Sequence, residues 1–142
     1  MARPARHATI GRMDTLDHVT LAVRDYARSK AFYEKALAPL EIKLVMEFGQ
    51  AGGFGRDGKP AFWIGAGPAS FQRPEHLRVI TPTHVAFRAR DRKQVDAFHA
   101  AALEAGGKDF GAPGLRPHYH PNYYGAFVLD PDGHDVEAVF HG

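Results

Sequence analysis

Hydrophobic and polar positions alternate with period two over residues 16–23 and again over 83–89, the pattern of half-buried strands. An aspartate follows each stretch, Asp25 or Asp91, and after it apolar residues recur at helical spacing. They are Phe32, Ala36 and Leu40 after the first strand, and Val95, Phe98, Ala102 and Ala105 after the second. An aspartate carboxylate accepts hydrogen bonds from the free amides of a first helical turn, so both residues read as N-caps. Pro39 lies near the end of one helix and Gly106-Gly107 closes the other. The spacing therefore predicts helices over 25–40 and 91–105. Glycine-punctuated stretches predict strands at 42–49, 51–56 and 60–66, and again at 108–112, 123–129 and 135–140. Asp130-Pro131-Asp132-Gly133 joins the last two as a hairpin.

The two halves repeat. His18 and His84, Asp25 and Asp91, Phe32 and Phe98, and Leu37 and Leu103 are each separated by 66 positions. Four landmarks at one offset define two copies of a β-α-β-β-β unit, and hence an α+β fold with helices over one face of a curved sheet. The division is a flexible extension over 1–12, then one domain over 13–142. Within the domain, module one covers 13–68, a proline-marked linker 69–82, and module two 83–142.

Successive strand side chains point to opposite faces. Val19, Leu21 and Val23 share one face of the first strand, and His18, Thr20 and Ala22 the other. Val85, Phe87 and Ala89 likewise oppose His84, Ala86 and Arg88. In the last strand Val136, Ala138 and Phe140 oppose Asp135, Glu137 and Val139. With the apolar faces against the helices, His18, His84 and Glu137 project to the open side. Two imidazoles and a carboxylate suit iron(II), manganese, nickel, cobalt or zinc, and three ligands leave coordination positions free.

Composition narrows the alternatives. The 142 residues are 44% hydrophobic and 24% charged, as expected for an ordinary globular chain. The net charge of +2 comes without a sustained basic run, which argues against a nucleic-acid partner. No apolar stretch approaches the roughly 20 residues needed to span a bilayer. Cysteine is absent, so disulfides and thiolate ligands are excluded, and a cytoplasmic location is the expectation. The first 12 residues lack the apolar core of a secretory signal.

The text Leu16-Asp17-His18-Val19-Thr20-Leu21, Ser29-Lys30-Ala31-Phe32-Tyr33-Glu34-Lys35-Ala36-Leu37, Thr83-His84-Val85-Ala86-Phe87 and Asp130-Pro131-Asp132-Gly133-His134-Asp135-Val136-Glu137 resembles the vicinal oxygen chelate superfamily. That superfamily holds glyoxalases, extradiol dioxygenases, methylmalonyl-CoA epimerases, and fosfomycin and bleomycin resistance proteins. The resemblance covers nearly everything from Met13 onward. It implies paired βαβββ modules forming an open barrel around a divalent metal, usually in a homodimer, with His18, His84 and Glu137 as ligands. Substrates of such sites are small and carry two adjacent oxygens. The expected chemistry is ring-cleaving dioxygenation or a lyase or isomerase reaction. A metal-free module that sequesters a ligand, of the bleomycin resistance type, is the alternative, and it has no need of the three ligands.

Aligning Phe62-Trp63-Ile64 with Val136-Glu137-Ala138 puts Trp63 where glyoxalase I carries a second glutamate, so Trp63 reads as an aromatic wall of the substrate cavity. Arg88, on the His84 face, and Arg116 are further candidates for substrate binding. The stretch Arg116-Pro117-His118-Tyr119-His120-Pro121-Asn122-Tyr123-Tyr124 leads into the strand before Glu137. Its His118, His120, Tyr123 and Tyr124 are candidates for proton transfer or for stabilising an oxyanion. His7, His76, His99, His134 and His141 read as solvated or structural.

Overall fold

The computed structural model describes residues 15–142; the extension expected over 1–12 lies outside the described residues. Twelve elements follow the two-copy plan. Module one contains β1 (Val19–Ala22), α1 (Tyr26–Leu37), a 3-10 turn (Ala38–Leu40), β2 (Lys43–Phe48), β3 (Ala51–Arg56) and β4 (Lys59–Gly65). After the linker helix α2 (Pro74–Arg78), module two contains β5 (His84–Arg88), α3 (Arg92–Glu104), β6 (Lys108–Leu115), β7 (Tyr124–Leu129) and β8 (Asp135–Phe140). The strands form two separate four-stranded sheets, β1-β4-β3-β2 and β5-β8-β7-β6. In each, the outer pair β1-β4 or β5-β8 is parallel and the remaining pairs are antiparallel. The tandem βαβββ arrangement is thus present, with neither sheet closed on itself.

Local chemistry sets the boundaries. Asp25 and Asp91 cap their helices, accepting from Arg28 N at 3.2 Å and Gln94 N at 2.8 Å. Pro39 opens the 3-10 turn that ends α1. Gly106, at φ 102°, ends α3 in the left-handed conformation that glycine adopts at least cost. Two departures from the expected pattern have physical causes. Pro74, read as linker punctuation, instead occupies the first turn of α2, where its missing N–H is no loss. β6 runs on to Leu115 through Pro113, because β6 is an edge strand and its register shifts there.

One core joins both modules. Leu21, Phe32, Tyr33, Phe54, Phe62 and Ile64 from module one pack with Phe87, Val95, Phe98, Val128, Val136 and Ala138 from module two. Phe62 meets Phe87 edge-to-face at 5.0 Å between centroids. Two polar clasps flank this core. The β7–β8 turn sits on the start of α1, where Asp132 accepts from the Arg24 N–H at 3.1 Å and Tyr33 donates to Asp130 at 2.5 Å. Arg56, at the end of β3, donates in turn to the backbone carbonyls of Leu40 and Arg88. Both sheets turn their helix-covered faces into this shared core.

Candidate metal centre

β5 and β8 are paired in parallel with Ala86 opposite Glu137, which puts His84 and Glu137 on one face of the second sheet. His84 Nδ1 lies 3.0 Å from the backbone carbonyl of Asp135. A carbonyl only accepts, so Nδ1 carries the proton and donates. His84 Nε2 lies 3.1 Å from Glu137 Oε1. A neutral imidazole with its proton on Nδ1 would oppose a lone pair to an ionised carboxylate oxygen there, so the contact calls for a proton or a cation between them. A proton on Nε2, a proton on the Glu137 carboxyl or a bound cation supplies it.

Glu137 is only 2% exposed, although the sequence pattern placed it on an open face. The Tyr123 hydroxyl donates to Glu137 Oε2. Burial pushes the Glu137 carboxyl above its usual range, while the hydrogen bond from Tyr123 and the charge of His84 pull the other way. Burial likewise raises Asp135, whose Oδ1 is buried without a hydrogen-bond partner.

His18 stands just before β1 on the first sheet, and within one chain it does not join His84 and Glu137. Among the described residues no three histidine, cysteine or acidic side chains are placed to share one ion. His18 has polar partners of its own. Its Nδ1 lies 2.7 Å from Asp17 Oδ1, and Lys59 Nζ lies 3.2 Å from Asp17 Oδ2. The His18 and Lys59 contacts hold the Asp17 carboxyl below its usual range, so it accepts from Nδ1, and His18 Nε2 has no hydrogen-bond partner among the described residues. Two open hollows of about 540 and 520 Å3 run along β1. The second is lined by His18, Thr20, Phe71 and Gln72, and neither is lined by His84 or Glu137.

The other candidates separate by strand parity. Trp63 pairs with Thr20 as Glu137 pairs with Ala86, so Trp63 occupies in module one the position of Glu137 in module two. Its indole stacks on Phe48 at 6.2 Å and lies against Gly53, where a Cβ would come within 2.8 Å of the ring. Arg88 lies on the His84 face of β5, exposed, four residues along. Arg116 stands over the Phe127 ring at 5.4 Å and donates to the Ala112 carbonyl. His118 packs on Tyr119, and His120 packs against Tyr123.

Tyr124 points the opposite way from Tyr123. Its hydroxyl donates to Asp96 on α3 at 2.6 Å and Arg92 covers its ring, so it stands apart from His84 and Glu137. Of the histidines read as solvated or structural, His134 bridges the modules and His141 joins the Tyr123 cluster. His76 accepts from Arg73 N on α2, His99 contacts Asp109, and His7 lies outside the described residues. Asp17 and His141 were missed. Each is legible only as a contact, since no spacing rule singles out either.

Paired βαβββ modules with a histidine at the start of the first strand of each define the class of fold. The family model for the Glyoxalase/Bleomycin resistance protein/Dioxygenase superfamily matches residues 15–138, and the chain belongs to that superfamily. Among solved structures, a glyoxalase/bleomycin resistance protein from Albidiferax ferrireducens T118 is 27% identical with a TM-score of 0.74, covering 91% of this chain and 100% of that one. A lactoylglutathione lyase from Agrobacterium tumefaciens is 18% identical with a TM-score of 0.64, covering 91% and 95%. An oxidase, ChaP-H2, is 20% identical with a TM-score of 0.61, covering 92% and 95%. The last two share the fold. No curated protein sequence matches the chain.

Proposed function

We propose that this protein is a divalent-metal-dependent enzyme whose site is completed between two copies of the chain. His84 and Glu137 come from one copy and His18 from the other. The observation that carries this reading is the approach of His84 Nε2 to Glu137 Oε1 while Nδ1 is committed to a carbonyl. His18, presented outward by Asp17, supplies a third donor of the right type. β1 and β5 each pair on one side only, and an open edge favours pairing with another strand. The fold's two-copy symmetry allows β1 of one chain to lie beside β5 of a second, which would bring the three donors to one place.

Neutral imidazoles and a carboxylate fit iron(II), manganese, nickel, cobalt or zinc. Such an ion, when bound, acts as a Lewis acid on a substrate presenting two adjacent oxygens. The chain's own residues do the rest. Trp63 and Phe48 form an aromatic wall for the substrate, and Arg88 and Arg116 offer charge to its anionic parts. Trp63 holds the place where a second carboxylate could serve as base, so proton transfer falls to His118. That distribution favours a ring-cleaving dioxygenase, or a lyase or isomerase other than a lactoylglutathione lyase. The stack of half-buried Trp63 on exposed Phe48 also suits a metal-free ligand holder, the second reading.

Metal analysis of protein purified without chelators separates the two. One ion per chain is expected in the wild type, with loss in His18→Ala, His84→Ala and Glu137→Gln. Mixing His18→Ala with His84→Ala and allowing subunits to exchange should restore part of the binding, because a mixed dimer contains one intact ligand set. Wild-type metal content in His84→Ala would sink the metal reading. Anaerobic reconstitution with several ions, followed by catechols, 2-oxoaldehyde thiol adducts and 2-methylacyl thioesters, then assigns the reaction.

A further inference from the structure

Tyr123 reaches Glu137 by an unusual route across its own strand. β7 and β8 pair with Phe127 opposite Glu137 and Gly125 opposite Val139. One step beyond the Tyr124–Phe140 pair, Tyr123 faces His141, so its ring must travel along the sheet past Gly125 to meet the carboxylate. Gly125 is the gap that allows this. A Cβ built there would stand 3.1 Å from Tyr123 Cε1 and 3.2 Å from Glu137 Oε2.

Three rings box the phenol in. Tyr119 meets it at 4.8 Å, His120 at 5.4 Å and His141 at 5.3 Å, all close to edge-on. The two histidines are joined at 2.7 Å between His120 Nε2 and His141 Nδ1. Asn122 N–H donates to His120 Nδ1 at 3.1 Å, so His120 carries its proton on Nε2 and donates to His141. The wall therefore needs no net charge. The backbone is held as well, because the Tyr123 carbonyl accepts from Arg116 N and Tyr123 N–H donates to the His120 carbonyl.

This arrangement divides the Glu137 carboxylate. Oε2 accepts from the phenol, and Oε1 alone faces His84 Nε2. A carboxylate with both oxygens free can occupy two positions around an ion, and a two-oxygen substrate would then have to displace one of them. We infer that Tyr123, seated over Gly125 and walled by His120 and His141, is a positioning residue that limits Glu137 to one ligating oxygen and keeps coordination positions open for a chelating substrate. This inference rests on the metal reading above.

The test uses Co2+ and two small probes on the full chain: acetohydroxamate, which binds through two oxygens, and azide, which binds through one atom. The visible spectrum of bound Co2+ reports coordination geometry, since a site gaining a ligand atom absorbs more weakly. Tyr123→Phe is expected to weaken the bands and to lower acetohydroxamate affinity about tenfold, the scale of effect for removing a partner that orients a ligand. Azide affinity should hold. Gly125→Ala, which keeps the phenol but fills its gap, should change the spectrum in the same direction, with circular dichroism confirming the fold. If the wild type takes up Co2+, His84→Ala does not, and Tyr123→Phe retains wild-type bands and acetohydroxamate affinity, this inference is overturned and the metal reading stands. If the wild type takes up no Co2+, both fall.

Discussion

Tyr33 is fully buried in the core, and its hydroxyl reaches across the module boundary to Asp130 at 2.5 Å. The same aspartate accepts from Asp132 N and His134 N, so one side chain organises the β7–β8 turn and ties it to α1. Burial raises the Tyr33 hydroxyl well above the ordinary tyrosine value, with the charge of Asp130 adding to it. The phenol is therefore neutral in the folded chain, while in the unfolded chain it ionises near pH 10. Its contribution is fully present below pH 10 and is lost as pH rises toward the folded value. Tyr33→Phe should cost about 1 kcal/mol at neutral pH and should flatten the alkaline fall in stability. Urea unfolding at pH 7.5 and above pH 10 checks both, and equal alkaline slopes would refute the assignment. Tyr33 falls within the helix predicted over 25–40, but its partner lies 97 residues away and no periodicity points to it.

At the scale of elements, the capped helices and the last hairpin were legible because their signals are local. Asp25, Asp91, Gly106 and the Asp130–Gly133 turn act within a few residues of themselves. What joins the elements was less visible. His134 accepts from Thr83 N at 2.9 Å and contacts the Ala22 carbonyl at 2.8 Å, so one ring links β1, the entry to β5 and the start of β8. Both contacts are buried or partly so, and replacing the ring leaves a donor and an acceptor unpaired. His134→Ala should therefore destabilise the chain by about 3 kcal/mol, adding the cost of two unmatched groups. His134→Gln, able to serve one of them, should recover part of that loss. Denaturant midpoints measure the difference, and a midpoint unchanged in His134→Ala would remove the ring from this role.

For the whole molecule the decisive feature is which faces the modules turn toward each other. The helix-covered faces share one core, and among the described residues His18 on one sheet does not meet His84 and Glu137 on the other. A site using all three side chains then needs a second chain. Sedimentation at micromolar concentration should give a dimer, and the reconstituted metal should travel with it. A monomer that retained full metal binding would contradict the proposed shared site. Dilution that dissociates the dimer should release the ion in step, because each copy by itself offers only His84 and Glu137 together.

Alternation along each strand and the 66-residue repeat placed His18, His84, Trp63 and Glu137 on equivalent faces, because side-chain parity and repeat spacing are properties of the chain alone. Parity also separates Tyr123 from Tyr124, although their role as neighbours in one loop hid it. The tertiary structure alone decided that the two modules share one core, that the Tyr123 hydroxyl reaches Glu137, and that Gly125 leaves room for the Tyr123 ring. The reason is range: parity and capping are set by neighbours in sequence, whereas packing is set by which apolar faces find each other across the fold.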